Sequence, residues 1–530
     1  MNDSFSSSND TPDKSDHKDH RKEPAPSISE GIEIEDPRPK GKLWMYRSLH
    51  FGPLKIPCVA SVSFQVTFVS LASFLCPGMF NAINGLGGGG QVNARDINNA
   101  NTTLYCLFAV VGFFAGSIVN TIGLRLALLL GGLGYPIFVA SLLVYNHTEN
   151  TGFLIFAGGL LGISAALFWT AQGTVMISYP AEEKKGRTIS LFWIVFNLGA
   201  VIGGLIPLAQ NMHSSTSSVN DGTYIGFIVL STLGLALSAF LCNPSLVRRE
   251  DGSQIILMKN PTWKTEIKGL FHTLRTDWYI VFLFPMFFAS NWFYTYHFQG
   301  VNLPVFNIRT RALNSVLYFG AQMVGASIFG TMLDNKRWRR SMRARGAAVV
   351  LFLLTMGIWS GGYEFQKTYT REQMEAHPEL KLDWTSSGYI GPMFLYIAYG
   401  IYDSAWQTYC YWLMGAMTNN SRKLAIFAGF YKGMQSAGAA IAPQLDAKRV
   451  SYMAQMLTCW GLLAFSLLFA SPIIWTRTMD HSDIDEDLKF SDEIPRELRG
   501  GSHHQRYLIR GRKCQFLTNL GRKLPSKHFS

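Results

Sequence analysis

Residues 400–443 read GIYDSAWQTYCYWLMGAMTNNSRKLAIFAGFYKGMQSAGAAIAP. Two apolar stretches flank a short basic turn at Arg422 and Lys423, and each carries one charge near its middle, Asp403 and Lys432. Residues 162–207 echo the pattern: GISAALFWTAQGTVMISYPAEEKKGRTISLFWIVFNLGAVIGGLIP. Trp406 and Gln407 answer Trp169 and Gln172, and the basic turn answers Lys184, Lys185 and Arg187. Small residues precede Pro443 (Gly438, Ala439, Ala440) as they precede Pro207 (Gly199, Ala200, Gly203, Gly204). From Trp to Pro is 38 positions in the first copy and 37 in the second. Such a repeat points to a duplicated helical half, not to a small solenoid unit.

The composition fits that reading. Of the 530 residues 48% are hydrophobic and 15% charged, against about 25% charged in a typical soluble domain. Both ends are polar, so the middle is more apolar still. It divides into stretches of about 20 apolar residues, the length a helix needs to cross a bilayer core of ~30 Å. Backbone groups in lipid must be satisfied within the segment, which makes these stretches helices. No short apolar region with a small-residue cleavage site opens the chain, so the first span is expected to act as the insertion signal. The +12 net charge is not a nucleic-acid signal, because the basic residues sit in loops and tails. The seven cysteines, Cys58, Cys76, Cys106, Cys242, Cys410, Cys459 and Cys514, lack metal-ligand spacing and read as small packing residues. Neither metal nor cofactor is expected.

Twelve spans are expected in an all-α membrane fold of two pseudo-symmetric six-helix halves. The first six are approximately 57–80, 102–122, 124–145, 152–177, 188–210 and 222–242. The second six are 278–297, 312–333, 346–363, 389–412, 424–443 and 452–475. The corresponding division is a disordered tail 1–53, a first half 54–242, a cytoplasmic linker 243–277, a second half 278–476 and a tail 477–530. Residues 81–101, NAINGLGGGGQVNARDINNAN, hold four consecutive glycines that cannot sit inside a stable helix. With no GK[ST] and no preceding strand they do not form a phosphate loop; a flexible outward loop is expected. Basic residues follow spans 4, 6, 8 and 10, while Arg309, Arg311, Lys448 and Arg449 run against the pattern. The balance places both termini in the cytosol. Asn146, in a sequon with Thr148, then faces outward as a glycosylation candidate. The basic end of the second tail, interleaved with apolar residues, is expected to lie on anionic lipid, with Cys514 a candidate for palmitoylation.

Twelve spans in two repeats with a long middle loop resemble the major facilitator superfamily. Its loop between spans 2 and 3 usually reads Gly, three residues, Asp, then Gly and Arg; here Gly116, Asn120, Gly123 and Arg125 stand at those positions. The second half has Gly330, Asp334 and Arg337. Glycine lets helices approach, the acid or amide caps or pairs, and the Arg latches the closed state; Asn120 weakens that latch in the first copy. More closely, the strings FLCPGMFNAINGLGGGGQ (74–91), LFWTAQGTVMISYP (167–180) leading into EEKKGR, and FYKGMQSAGAAIAP (430–443) resemble the fungal form of the Unc-93-like branch. The resemblance covers about residues 43–476. It implies a multi-pass membrane protein of facilitator fold, and its animal members are better known as accessory or trafficking partners of other membrane proteins than as transporters.

Asp403 and Lys432 lie about ten and about eight residues from the inner ends of adjacent antiparallel spans, so ~15 and ~12 Å deep. A lone charge there costs at least ~2.5–3.5 kcal/mol, so the two are expected either to pair directly or to act in proton coupling. In the facilitator fold spans 1, 4, 7 and 10 line the cavity. That implies Gln65, Trp169, Gln172, Asn291, Tyr294, Asp403, Trp406 and Gln407 as cavity residues, with Asn197 and Gln435 flanking. His297, near the outer end of span 7, is expected at the interface. No HExxH, GxSxG or spaced cluster of His and acids indicates an enzyme. The expected partners are the lipid bilayer and a small solute or ion, with proton coupling. An accessory role beside another membrane protein is the alternative.

Overall fold

The computed structural model describes residues 43–51, 54–90, 94–180, 185–212, 219–249, 263–335, 337–417 and 421–478. Nearly all of both expected tails, Cys514 among them, lies outside these residues, as do the side chains of Asn120, Lys184, Lys185, Arg187, Arg422 and Lys423. Residues 1–44 and 45–530 are separate compact units. Of the first only Leu43 and Trp44 are described; the second holds everything below.

A short hairpin, β1 (Leu49–Phe51) and β2 (Leu54–Ile56), pairs Leu49 with Ile56. The helices follow: α1 (Val62–Leu75), α2 (Pro77–Gly85), α3 (Ala94–Ile122), α4 (Leu124–Thr148), α5 (Thr151–Ser178), α6 (Lys185–Asn211) and α7 (Asp221–Ala239). Ser61 opens α1 by accepting from the Phe64 N–H. Proline at the first position of α2 breaks it from α1, so the two make one bent rod. The connector holds α8 (Trp263–Thr276). Residues 278–305 form an irregular rod: a 3₁₀ turn, α9 (Phe284–Ala289), α10 (Phe293–Thr295), a π-helical stretch Tyr296–Asn302, and α11 (Leu303–Val305). Then come α12 (Ile308–Leu333), α13 (Arg340–Gln366), the short α14 (Arg371–Ala376), α15 (Ile390–Met417), α16 (Ser421–Ala447) and α17 (Tyr452–Arg477).

Among the described residues nine helices, counting α1 with α2 as one, are long and apolar enough to cross a membrane. The other three expected spans are the irregular rod, α15 and α16. They are helical too, and they contribute Asn291, Asp403 and Gln435 to the candidate site. Two apolar cores form. One gathers residues of α1–α7, such as Val69, Leu142 and Phe168. The other gathers mainly residues from 279 onward, such as Phe293, Trp359 and Ile474, with Ala200 of α6, while Ile308 and Ala312 of α12 join the first. The packing is repeated: Gly162 lets α5 touch the Leu104 backbone of α3, and Gly400 lets α15 touch the Tyr318 backbone of α12. The halves meet where α3 packs on α16 and α6 on α12.

The first half starts and ends on one face, where Gln65 of α1 accepts from the Cys242 N–H beyond α7 at 3.0 Å. The second does the same, with Arg477 over the Tyr279 ring at 5.1 Å. We call this the terminal face. On the opposite face the expected flexible loop is not found. Gly87–Gly90 are buried, and all four have φ between 55° and 83°, the left-handed region that favours glycine. The Arg311 guanidinium donates to the Leu86 carbonyl at 2.7 Å and the Gly87 carbonyl at 2.6 Å. The Gly88 N–H donates to Gln299 at 2.6 Å, and Asn302 donates to the Gly85 carbonyl at 2.8 Å. A Cβ at Gly87 would collide with the Phe298 carbonyl. Gly87 and Gly88 therefore serve close approach between the halves, against Phe298 and Leu303, while Gly89 and Gly90 pack within the first half, against Leu142 and Val219. Arg311 runs against the charge pattern because its charge caps the carbonyl end of α2.

Candidate functional site

A cavity lies between the halves. Asn81 and Asn84 of α2, Asn98, Asn101 and Tyr105 of α3, and Asn291, Tyr294 and Phe298 of the irregular rod line it. Helical spacing explains the clustering: Asn81 and Asn84, Asn98 and Asn101, and Asn291 and Tyr294 are each three residues apart, on one helix face. The Oδ1 atoms of Asn98 and Asn101 are buried without a hydrogen-bond partner. For Asn98 the orientation is fixed, because its amide nitrogen donates to Asp446 Oδ2 at 2.6 Å and a carboxylate only accepts.

Behind Asn291 lies a polar network built by the second half. Asp403, midway along α15 and 1% exposed, accepts from the Tyr318 hydroxyl at 3.1 Å, Gln322 at 2.5 Å and Gln407 at 3.4 Å. Gln407 also donates to Asn291 Oδ1 at 3.1 Å, and Gln435 donates to the same atom at 3.0 Å. Gln407 Oε1 accepts from Tyr431 and, at 3.0 Å, from Gln435. Lys432 closes the chain by donating to Gln435 at 2.8 Å. Its ammonium stands over the rings of Trp169, Tyr411 and Tyr431 at 5.7, 5.6 and 5.3 Å.

The expected direct pair of Asp403 and Lys432 is therefore not made. Depth permits it, but α15 turns Asp403 toward α12 while Lys432 points into an aromatic box, and two glutamines bridge the gap. Asn291 and Tyr294 line the cavity as expected, and Gln407 stands one hydrogen bond behind it. Gln65 is elsewhere: it also donates to the Val59 carbonyl at 2.9 Å and staples the terminal face. Trp406 is fully buried and donates to the Met286 carbonyl. Trp169 packs edge-on against Phe196, and Gln172 is buried in α5. Asn197 donates within its own helix, to the Trp193 carbonyl.

His297 is not interfacial. It is fully buried, stacked on Tyr399 with centroids 4.1 Å apart, and its Nδ1 lies 3.2 Å from the Tyr318 hydroxyl. The position near the end of the span misleads because the rod continues past it, through the π-helical stretch, to Val305. Tyr318 and Gln322 were also missed. Their signal was present as a polar pair four residues apart on one face of an apolar helix.

A second buried cluster seals the opposite face. Asp446 is paired with Arg371 and accepts from Gln455 at 2.9 Å and from Asn98 of the other half. At the terminal face Gly123, at φ 86°, makes the break between α3 and α4. Asp334 and Arg337 are exposed and make no ion pair with each other, and Gly116, Gly330 and Arg125 make no described latch. Asn146 lies in the last turns of α4 and donates its amide nitrogen to Asp221 at 2.8 Å.

The family model "Ion channel regulatory protein UNC-93" matches residues 88–469. An UNC93-like protein of Schizosaccharomyces pombe is 48% identical over 87% of this chain and 90% of its own. UNC93-like protein 1 of Arabidopsis thaliana is 41% identical over 80% and 92%. Among solved structures, the Escherichia coli xylose transporter XylE in a partially occluded inward-open conformation is similar with a TM-score of 0.53 at 10% identity, over 80% of this chain and 99% of that one. A structure described under proton-dependent oligopeptide transporters gives 0.54 at 14%, over 78% and 98%. These likenesses show the major facilitator fold, and with it an integral, multi-pass membrane protein. On the match over residues 88–469 and the identity to its fungal and plant relatives, the chain belongs to the UNC-93 family.

Proposed function

We propose that this protein is a secondary transporter. It carries a small polar solute through the asparagine-lined cavity by rocking its two halves, and Asp403 takes and releases the coupling proton. The observation that carries this is the setting of Asp403: a buried carboxylate held by one hydroxyl and two amides, with no cation against it. A permanently charged structural carboxylate in lipid is expected against Lys or Arg, as Asp446 is against Arg371. Hydroxyls and amides rotate or exchange roles, so they accommodate either protonation state. Tyr294 and Asn291 line the cavity, and Gln407 donates both to Asn291 Oδ1 and to Asp403, which joins the coupling group to the solute. Lys432 acts at a distance through Gln435 and Gln407. The seal at Arg311 and Asp446 closes the opposite face in this state, and Gly116, Asn120, Gly123, Arg125, Gly330, Asp334 and Arg337 act as the terminal-face latch when it closes there. The exposed Arg337 and Arg339 with neighbouring Arg340, Arg343 and Arg345 make that face the cytosolic one.

The family's description as an ion channel regulatory protein favours a second reading, a non-transporting subunit of another membrane protein. Uptake into proteoliposomes of pooled polar solutes, with and without an inside-alkaline pH gradient, separates the two. Gradient-dependent uptake supports the transporter. No uptake from any pool, with a channel co-purifying and altered in its currents, supports the regulator.

A further inference from the structure

We propose that α8 is a membrane-surface anchor that binds acidic phospholipid through the stripe Lys268, Phe271 and Arg275. The proposal holds whether the chain carries a solute or regulates a partner. α8 reads WKTEIKGLFHTLRT, with Lys264, Lys268 and Arg275 against the one acid Glu266. Its 14 residues reach about 21 Å at 1.5 Å each, short of a bilayer core of ~30 Å, so it is not a span. Non-helical backbone at Asp277 (φ −113°, ψ 43°) breaks it from the rod that follows. Two residues further on, Tyr279 lies under Arg477 at the terminal face, which puts the end of α8 at that face.

The helix has a protein side and a free side. Gly269 faces Ile426 in the first turns of α16, Thr273 is buried, and Leu274 packs on the second core. Lys268, Phe271 and Arg275, spaced i, i+3 and i+7, share the other side. All three are exposed, Phe271 to 70%. A phenylalanine held out between two cations suits a bilayer surface better than water. Its ring enters the boundary between headgroups and acyl chains, while the long cationic side chains reach back to the phosphates. Acidic headgroups add attraction for each cation near the surface. The stripe also runs on into the lipid-facing side of the rod, where Trp278 is 54% and Val281 41% exposed; tryptophan concentrates at the headgroup level. A docked protein is the other way to cover Phe271, but the two cations beside it and its continuity with Trp278 and Val281 favour lipid.

The test uses the full chain in nanodiscs made from equal parts of phosphatidylcholine and phosphatidylserine. A photo-crosslinker is installed as Phe271→p-benzoylphenylalanine and, in a second sample, as Val281→p-benzoylphenylalanine, which reports ordinary lipid contact. Mass spectrometry after illumination counts the lipid adducts. The ratio of serine to choline lipid is expected to be at least about threefold higher at 271 than at 281. Adding Lys268→Glu and Arg275→Glu, both at exposed positions and checked for a monodisperse gel-filtration peak, is expected to bring the two ratios together. High salt is expected to do the same in the otherwise unaltered chain. Lipid adducts at 281 with none at 271 overturn the proposal, as does an adduct to a co-purifying protein in their place. Equal ratios at 271 and 281 overturn the binding of acidic lipid.

Discussion

Residues 162–207 and 400–443 share a scaffold and differ in chemistry. Three residues before the tryptophan, Asp403 of the second copy stands where the first has Ala166; eleven before the proline, Lys432 stands where the first has Phe196. Ala166 is fully buried in the apolar core, and Phe196 packs on Trp169 at 5.4 Å. In the second copy the same positions begin and end the network from Asp403 to Lys432. The glycines that bring α5 onto α3 and α15 onto α12 are present in both. Duplication has thus kept the packing and confined the charges to one half. The other half supplies amides, Asn81, Asn84, Asn98 and Asn101, to the shared cavity.

The comparison breaks first where a charge is placed in the apolar copy. Ala166→Asp puts a carboxylate among core side chains with no partner, at a cost of ~2.5–3.5 kcal/mol or more. A near-complete loss of monodisperse protein in fluorescence-detected gel filtration is expected, whereas Asp403→Asn is expected to run as the wild type. Next is the seal that joins the copies. Arg311→Ala leaves the buried Leu86 and Gly87 carbonyls without their donor, about 1–3 kcal/mol for each. A fall in Tm of several degrees in detergent, and faster labelling of a cysteine placed at Asn98, check this.

A smaller effect is expected for Lys432→Ala. It removes one hydrogen bond and three ring contacts, worth about 0.5–2 kcal/mol. Because Lys432 does not touch Asp403, gradient dependence of uptake should survive, and its loss would mean that the glutamine bridge transmits more than position. The smallest effect concerns the exposed rim. The Arg309 guanidinium beside Asp383, at 2.6 Å, holds that carboxyl well below the usual carboxylate range. A depressed folded-state value stabilises above the unfolded value of about 3.9 and is lost as pH falls further. Thermal melts of wild type and Arg309→Ala should therefore show a gap of about 1 kcal/mol or less at pH 6 that narrows toward pH 3 without closing, because closure requires pH below the depressed folded-state value.

Much of this was legible in the chain. Apolar run lengths and the Trp-to-Pro repeat pointed to the helical spans and to their duplication. Asn291, Tyr294, Asp403 and Gln407 were singled out by their polarity inside the spans that the facilitator resemblance places around the cavity. What stayed hidden depends on angle and on distance along the chain. Depth can be counted from a helix end, but the direction in which Asp403 and Lys432 point cannot, so a pair was expected where a bridge exists. Gly87–Gly90 look like a flexible loop because glycine permits disorder and tight packing equally. Only Arg311 and Gln299, over two hundred residues away, decide between them. The asparagines of α3 fell inside that supposed loop and were passed over for the same reason.

The central claim is that Asp403 couples proton to solute without being needed to hold the fold. Proteoliposomes containing Asp403→Asn, loaded with a solute the wild type carries, test it most directly when counterflow exchange and gradient-driven accumulation are measured side by side. The expected result is exchange within a factor of about two of wild type, with accumulation reduced to the level of empty liposomes. Accumulation that follows the pH gradient as in the wild type would contradict the claim.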